Sequence, residues 1–372
     1  MRWVFWVAVG LITYTYGGYV CWLRLRLLWR SHPVMRGACT PSVSIAMVVR
    51  NEERVLAAKL QNLLALDYPP CQIVVVSDGS TDRTEEILRE YGRDPRLQVV
   101  LKQLSQGKAS GLNDAMEQAQ GEIVVFTDAR QRIEPAAVCL LAENFADPEV
   151  GCVSGELMLG DATGGESSQG LGLYWRIEKQ VRELEAASGS MVGATGAIYA
   201  VRRELLSRIP QGTILDDVYL PMEVVRQGKR AVFDGRARAW DSPDLGVERE
   251  FARKVRTLSG NYQLMQLAPW LLSRRNPLLF EFVSHKLLRL SVPFALAALL
   301  LTSFALSGPF YRAALMLQLT FYVLSMLAFS HMVKRGILAR IVDASGTFVL
   351  LNGAAVVALV SFVAGRRAAW TR

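Results

Sequence analysis

Two short stretches of this chain end in the same way. Ile73-Val-Val-Val-Ser-Asp78 and Ile123-Val-Val-Phe-Thr-Asp128 are runs of β-branched and aromatic residues, each stopped by one aspartate. A continuous apolar run of this length predicts a strand buried on both faces of a parallel sheet. A carboxylate where such a strand stops lies at the carboxyl edge of the sheet, where open α/β folds bind ligands. Two carboxylates aimed at one crevice suit a divalent cation and a phosphate-bearing substrate. Further on, Arg253-Lys254-Val255-Arg256-Thr257 sets two arginines three apart on one helical face, a spacing that clamps a diphosphate.

These groups need a frame, and the chain supplies one from Val43 onward. Strands are predicted over 43–49, 72–76, 97–101 and 123–126, alternating with helices over 52–66, from Ser80, and over 107–120. The first helix is marked by apolar spacing at Val55, Leu56, Leu60, Leu63 and Leu64 and stopped by Tyr68-Pro69-Pro70. Asp82 reads as a first-turn residue of the second helix. Past Pro135 a helix over 135–145, a strand over 151–157, a Gly/Ser-rich loop over 160–169 and an amphipathic helix over 171–187 are expected. The fold class is α/β with a mostly parallel, doubly wound sheet: a nucleotide-binding half, then a substrate half on the same sheet.

Half of the 372 residues are hydrophobic, but unevenly so. Residues 3–23, 290–307, 313–330 and 345–365 carry no charge, and each is about the ~18–20 residues that cross a bilayer core. The expected organisation is a transmembrane helix at 1–30, a soluble domain at 31–262, interfacial amphipathic pieces at 263–290, and about three transmembrane helices in 291–372. Arg24, Arg26 and Arg30 follow the first span where a cleavage site would otherwise stand, so it reads as an uncleaved anchor. They place the soluble domain on the cytoplasmic side of a bacterial-type inner (plasma) membrane. Three more spans would leave Arg366, Arg367 and Arg372 outside, and a hairpin or re-entrant segment within 331–365 would reconcile this.

The net charge of +8 does not indicate nucleic acid, because basic residues such as Arg274, Arg275, Lys286 and Arg289 gather at membrane boundaries, where they meet anionic lipid headgroups. Cys21, Cys39, Cys71, Cys139 and Cys152 show no metal-ligand spacing and fit a reducing compartment. His32, His285 and His331 lie at the membrane edges, which argues against histidine catalysis. The spans lack the ionisable residues of a transport path.

Val49-Arg50-Asn51-Glu52-Glu53, Ser77-Asp78-Gly79-Ser80-Thr81-Asp82, Gly107-Lys108 through Asn113, and Thr127-Asp128-Ala129-Arg130 stand in one order and spacing. Together they resemble family 2 glycosyltransferases of GT-A fold, and with the flanking spans the branch that includes cellulose, chitin and hyaluronan synthases. The resemblance covers residues 43–260. It implies that Asn51 and Glu52 lie near the base and ribose of a nucleotide, that Asp78 faces the nucleotide, and that Lys108 neutralises charge beside it. Asp128 matches the first acid of the metal-binding Asp-x-Asp motif, while Arg130 stands at the second. Mg2+ or Mn2+ is implied, held by one carboxylate with diphosphate oxygens and water, and Arg130 is positioned to share neutralisation of the diphosphate.

Val192-Gly193-Ala194-Thr195-Gly196 resembles the acceptor-binding loop, with Thr195 and Gly196 as contacts. Leu215-Asp216-Asp217 resembles the Thr-Glu-Asp motif, in which the last acid is the general base; here that is Asp217, with Asp216 raising its proton affinity or capping the helix. Arg253 and Arg256 match the diphosphate-binding arginines, and Thr257 replaces the tryptophan of processive synthases. The resemblance therefore implies an inverting transferase that moves a sugar from a nucleotide-diphosphate donor to a saccharide or lipid-linked acceptor. Two alternatives stay open: a processive synthase acting as a homo-oligomer or with a partner subunit, and a catalytically silent nucleotide-sugar-binding scaffold or sensor.

Overall fold

The chain begins with an apolar helix, α1 (Arg2–Thr13), which passes through one π turn into α2 (Tyr19–Arg26). The computed structural model describes residues 1–69, 71–160, 169–241, 247–329 and 336–365. Most of the predicted Gly/Ser-rich loop (161–168), His331 and the terminal Arg366, Arg367 and Arg372 lie outside the described residues.

The alternation expected from Val43 is present: β1 (Val43–Val49), α3 (Leu56–Leu64), β2 (Gln72–Asp78), α4 (Thr84–Tyr91), β3 (Leu97–Lys102), α5 (Lys108–Gln118) and β4 (Ile123–Phe126). A two-residue strand β5 (Arg132–Ile133) follows, then α6 (Ala137–Glu143), β6 (Val150–Leu159), α7 (Gln169–Ala187), β7 (Tyr199–Arg202), α8 (Asp216–Arg226), β8 (Arg230–Asp241) and α9 (Val247–Leu267). All eight strands form one sheet in the order β3-β2-β1-β4-β7-β6-β8-β5. β1 pairs in parallel with β2 and β4, and β2 with β3. β7 then inserts antiparallel between β4 and β6, while β6 and β8 run parallel.

β1 is buried along its whole length and β4 likewise, as strands covered on both faces must be. Each fully buried Val, Ile or Leu contributes about 1.5–3 kcal/mol, so these strands anchor the core around which α3, α5 and α8 pack. The strand order turns at β1, whose neighbours β2 and β4 end in Asp78 and lead to Asp128. That reversal opens the crevice at the carboxyl edge.

The second half departs from expectation in β8. Its sequence, Arg-Ala-Val-Phe-Asp-Gly-Arg-Ala-Arg-Ala-Trp-Asp, is too charged to announce a central strand. The charges are accommodated because Arg236 folds back onto Asp234 (2.7 Å) and Arg236 and Arg238 face outward.

After α9, a short 3-10 turn (Pro269–Leu272) leads to α10 (Leu279–Phe282), a π turn, α11 (Leu288–Ala305), α12 (Pro309–Phe329) and α13 (Gly336–Val363). Among the described residues, four helices are long and apolar enough to cross a membrane: Arg2–Arg26, Leu279–Ala305, Pro309–Ala328 and Gly336–Val363. Two expectations are corrected here. Residues 279–290 are the foot of the second span, continuous with it through a π bulge, and only the 3-10 turn fits the idea of separate interfacial pieces. α13 is an unbroken helix of 28 residues, about 42 Å at 1.5 Å per residue. No hairpin interrupts it between Gly336 and Val363, because that stretch lacks any proline or charge cluster to break it.

Candidate active site

Lys108 organises the crevice. It is the first residue of α5, and its Nζ lies 3.0 Å from Asp128 Oδ1 and 3.1 Å from Asp216 Oδ1. Burial works against its charge, but Asp128, Asp216 and Asp217 together push its pKa above the ordinary lysine value. Lys108 is thus paired with two acids from different elements. It ties the end of β4 to the start of α8.

Asp78 explains how Lys108 is placed. It is fully buried, and Ser105 Oγ (2.7 Å), Gln106 N–H (2.9 Å) and Gly107 N–H (2.9 Å) all donate to its carboxylate. Gly107 takes φ +94°, a conformation that favours glycine, and the helix starts at the next residue. Asp78 is thus turned to the 105–107 loop.

The opposite wall comes from β7 and α8. Asp217 Oδ2 accepts the Gly196 N–H at 3.2 Å, and its carbonyl accepts the Ala194 N–H at 2.7 Å. Gly196 sits between two acids: a Cβ added there would lie 3.5 Å from both Asp128 Oδ2 and Asp217 Oδ2. Asp128, after β4, thus converges with Asp216 and Asp217 of α8. Burial first, then the neighbouring Asp216, raises the Asp217 carboxyl to about 6, with Lys108 opposing.

The two aspartates of α8 have unequal surroundings. Asp216 is 3% exposed and held by Lys108 and the Tyr199 hydroxyl (3.4 Å). Asp217 is half-buried and receives one backbone N–H on Oδ2. Of the three residues expected to meet an acceptor, only Gly196 is partly exposed. Thr195 is 5% exposed, with its N–H on Ser154 Oγ (3.0 Å), and Asp216 is committed to Lys108. Thr195 is enclosed against Ser154 of β6, and Asp216 lies under Lys108 and Tyr199.

On the nucleotide side, Asn51 is exposed and takes φ +55°, and its Oδ1 accepts the Thr81 N–H at 2.8 Å. It clips the loop after β1 to the loop after β2. The Glu52 N–H donates to Thr84 Oγ1 (2.9 Å), and the Glu52 carboxyl is raised by burial, with Arg130 opposing and Asp128 and Asp82 reinforcing. Glu52, Arg130 and Asp128 therefore share one electrostatic neighbourhood. Arg130 itself is exposed.

Arg253 reaches the site from α9. Its Nη1 lies 3.5 Å from Asp241 Oδ2, which also accepts from Gln131 Nε2 at 3.1 Å. Gln131 follows Arg130, so Arg253 is tethered to the loop that carries Asp128. Arg256 lies one turn along, half-buried, while Thr257 is exposed with its hydroxyl on the Arg253 carbonyl (3.0 Å). α9 comes this close because Gly260 faces the loop before α8: a Cβ there would lie 2.6 Å from Leu215 Cγ. Gln263 finishes the seam, accepting the Ile214 N–H at 2.9 Å.

Lys59 is a residue that motif reading missed. It is 3% exposed in α3, and its Nζ donates to Thr127 Oγ1 (2.9 Å) and the Gln131 carbonyl (2.6 Å). Burial lowers its pKa to about 7, partly offset by Asp128. It braces the Asp128 loop from below. The available signal was a lysine on the apolar stripe between Leu56 and Leu60.

Comparison with known proteins fits this geometry. Residues 44–209 match the Glycosyl transferase family 2 profile. The chain is 23% identical over 276 residues to a poly-beta-1,6-N-acetyl-D-glucosamine synthase of Staphylococcus epidermidis, covering 72% of this chain and 64% of that protein. It is 28% identical over 192 residues to a beta-monoglucosyldiacylglycerol synthase of Synechocystis sp., covering 50% of this chain and 40% of that one. The chain thus spans less than two thirds of the length of these curated relatives. Among solved structures, a mannosyltransferase from Pyrobaculum calidifontis in complex with GDP-Man and Mn2+ superposes with a TM-score of 0.73 at 22% identity, covering 98% of this chain and 99% of that one.

Proposed function

We propose that this chain, whose residues 44–209 are a family 2 glycosyltransferase domain of GT-A fold, is an inverting membrane enzyme. It takes a sugar from a nucleoside-diphosphate donor and places it on a saccharide or lipid-linked acceptor at the cytoplasmic face. The observation that carries this reading is the convergence of Asp128 and Asp217 on Gly196, with Lys108 joining Asp128 to Asp216.

An inverting displacement needs a base for the acceptor hydroxyl on the side opposite the leaving diphosphate. Asp217 suits that task because its raised pKa gives it a greater proton affinity than an ordinary aspartate, yet leaves it ionised at neutral pH. Asp128 faces the donor side of Gly196, and Arg253 and Arg256 approach from α9 to neutralise the diphosphate. Arg130 adds positive charge at the crevice mouth. Asn51 and Glu52 line the edge where the base and ribose would lie, on a loop pair fixed by Thr81 and Thr84.

A divalent ion would be held by Asp128 together with the donor. Asp128 Oδ1 is taken by Lys108, and Oδ2 points toward Gly196. Among the described residues no three His, Cys, Asp or Glu side chains gather into a self-sufficient cage. The chain therefore fits Mg2+ or Mn2+ shared with a diphosphate rather than bound alone. Such an ion supplies Lewis-acid charge for the leaving group.

The thermal unfolding midpoint of the full chain in detergent tests this. Mn2+ alone should leave it unchanged, while Mn2+ with UDP, GDP or dTDP should raise it for the matching base, by mass action worth about 2.7 kcal/mol at a hundredfold excess over Kd. An equal shift from Mn2+ alone would contradict shared binding. No response to any nucleotide would contradict the donor site.

Membrane placement at the cytoplasmic face is supported by exposed Arg24 and Arg30 at the end of the first span. Arg26 does not contribute to that count, because it is buried and paired with Glu281 at the foot of the second span. The exposed Thr257 at the tryptophan position favours single addition over processive synthesis, which product length on a gel distinguishes.

A further inference from the structure

The membrane helices reach the crevice through a buried polar chain that the transfer chemistry above does not use. α7 carries two deeply buried acids, Glu178 and Glu185, on one face. His285, in the π turn at the foot of the second span, lies between them. Its Nε2 is 3.0 Å from Glu178 Oε1 and its Nδ1 is 3.0 Å from Glu185 Oε1. A carboxylate only accepts, so each contact needs a proton on the line between the two atoms.

Glu178 also faces Arg289 (2.8 Å), Lys286 (3.6 Å) and Arg182 (3.6 Å). Burial disfavours its charge, but His285, Arg289 and Lys286 hold its carboxyl well below the usual range. Glu178 thus sits in a cationic nest.

Glu185 is placed differently. The Tyr19 hydroxyl, from α2, donates to its Oε1 at 2.7 Å, alongside His285. Its Oε2 accepts the Val192 N–H at 3.2 Å. Val192 opens the segment whose Ala194 and Gly196 N–H groups grip Asp217. One carboxylate thereby touches the first span, the foot of the second, and the segment that holds the base.

We infer that Glu185 is a positioning residue, which fixes the 192–196 segment, and through it Asp217, in register with the first and second membrane helices. A buried carboxylate is costly unless paired, and His285 with Tyr19 supplies that pairing on one oxygen. The other oxygen is committed to a backbone amide four residues before Gly196. The segment is otherwise held by α8 through Asp217, by Ser154 of β6 and by Ala231 of β8, and Glu185 ties it to the two membrane helices, in the manner of outer residues that orient a reacting group. The inference rests on reading Asp217 as the base.

The test uses the full chain in vesicles of total bacterial lipid, with two readouts. One is amide hydrogen exchange over residues 190–197. The other is nucleoside diphosphate release from whichever of UDP-glucose, UDP-N-acetylglucosamine or GDP-mannose most raises the unfolding midpoint. Glu185→Gln should speed exchange in that segment and lower the maximal rate by about 10²-fold, the scale of a misplacement of about 1 Å, with the nucleotide-induced midpoint shift unchanged. Tyr19→Phe, which removes one bond only, should lower the rate about fivefold.

Faster exchange in Glu185→Gln with a wild-type rate would overturn the positioning role and leave the base assignment standing. A wild-type rate in Asp217→Asn would overturn the base assignment whatever Glu185→Gln does. If Glu185→Gln fails to fold, Tyr19→Phe decides: wild-type rate and wild-type exchange over 190–197 would reject the inference.

Discussion

Asp217→Asn should lower sugar transfer by at least about 10³-fold, within the range expected for loss of a general base, while donor affinity stays nearly unchanged. The amide oxygen can still accept the Gly196 N–H, so the loop geometry survives the exchange. The same variant should also be more stable above pH 6. The folded-state pKa of Asp217 is raised from 3.8 to about 6, so between these values the native state binds a proton that the unfolded state does not. Stability from this group is present at low pH and is lost as pH rises through about 6. Above that, the wild-type protein carries a half-buried charge beside Asp216 that asparagine removes. A raised unfolding midpoint at pH 7.5 with abolished transfer is the expected pair of results. Retained transfer would exclude Asp217 as the base, and a lowered midpoint would contradict the electrostatic account of its environment.

Lys108→Met should be the most damaging change on the donor side. Methionine preserves much of the stem but leaves Asp128, Asp216 and Asp217 facing one another without a cation. Breaking a buried pair by removing one partner costs about 3–5 kcal/mol, and the loss here should fall toward the lower figure because the Asp128 side chain is 39% exposed and partly solvent-screened. The sign with pH follows from the raised pKa of Lys108. Its contribution is fully present below the ordinary lysine value and is lost only as pH rises through the raised one. The gap between wild type and variant should therefore be widest near neutrality and narrow as pH falls through about 6, where Asp217 takes up a proton. Unfolding midpoints measured from pH 4.5 to 8 check this, and a gap that is constant or grows in acid would contradict it. Transfer should fall along with stability, since Asp128 and α8 lose their common tether.

The frame of this site was legible in the sequence because it is built from local patterns. The apolar runs before Asp78 and Asp128 were long enough to require strands, and the spacing at Leu56, Leu60 and Leu63 required a helix. The four helices long and apolar enough to cross a membrane were legible for the same reason, as uncharged runs of sufficient length. What the sequence did not disclose are pairings between residues far apart in the chain. Asp78 looked like a ligand group, yet Ser105, Gln106 and Gly107 occupy its carboxylate. Nothing around Lys108 in the sequence announced that it bridges Asp128 and Asp216, the latter 108 positions away.

His285 shows the limit most clearly. Beside Lys286 and Arg289 it had the appearance of membrane-flanking charge, because its partners Glu178 and Glu185 lie 107 and 100 residues upstream. Only the packing of α7 against α2 and the foot of the second span brings these groups together. Lys59 is the exception that careful periodicity could have found, since a cation inside an apolar stripe must be buried with partners or break the helix face.

The most direct test of the central claim is the pH dependence of kcat/KM for transfer by the wild-type chain, which reports the free enzyme's essential base. The expected profile rises with an acid limb near pH 6, the value to which burial and Asp216 bring Asp217. A limb near pH 4, or a rate insensitive to pH between 4.5 and 7.5, would contradict Asp217 as the group that takes the acceptor's proton.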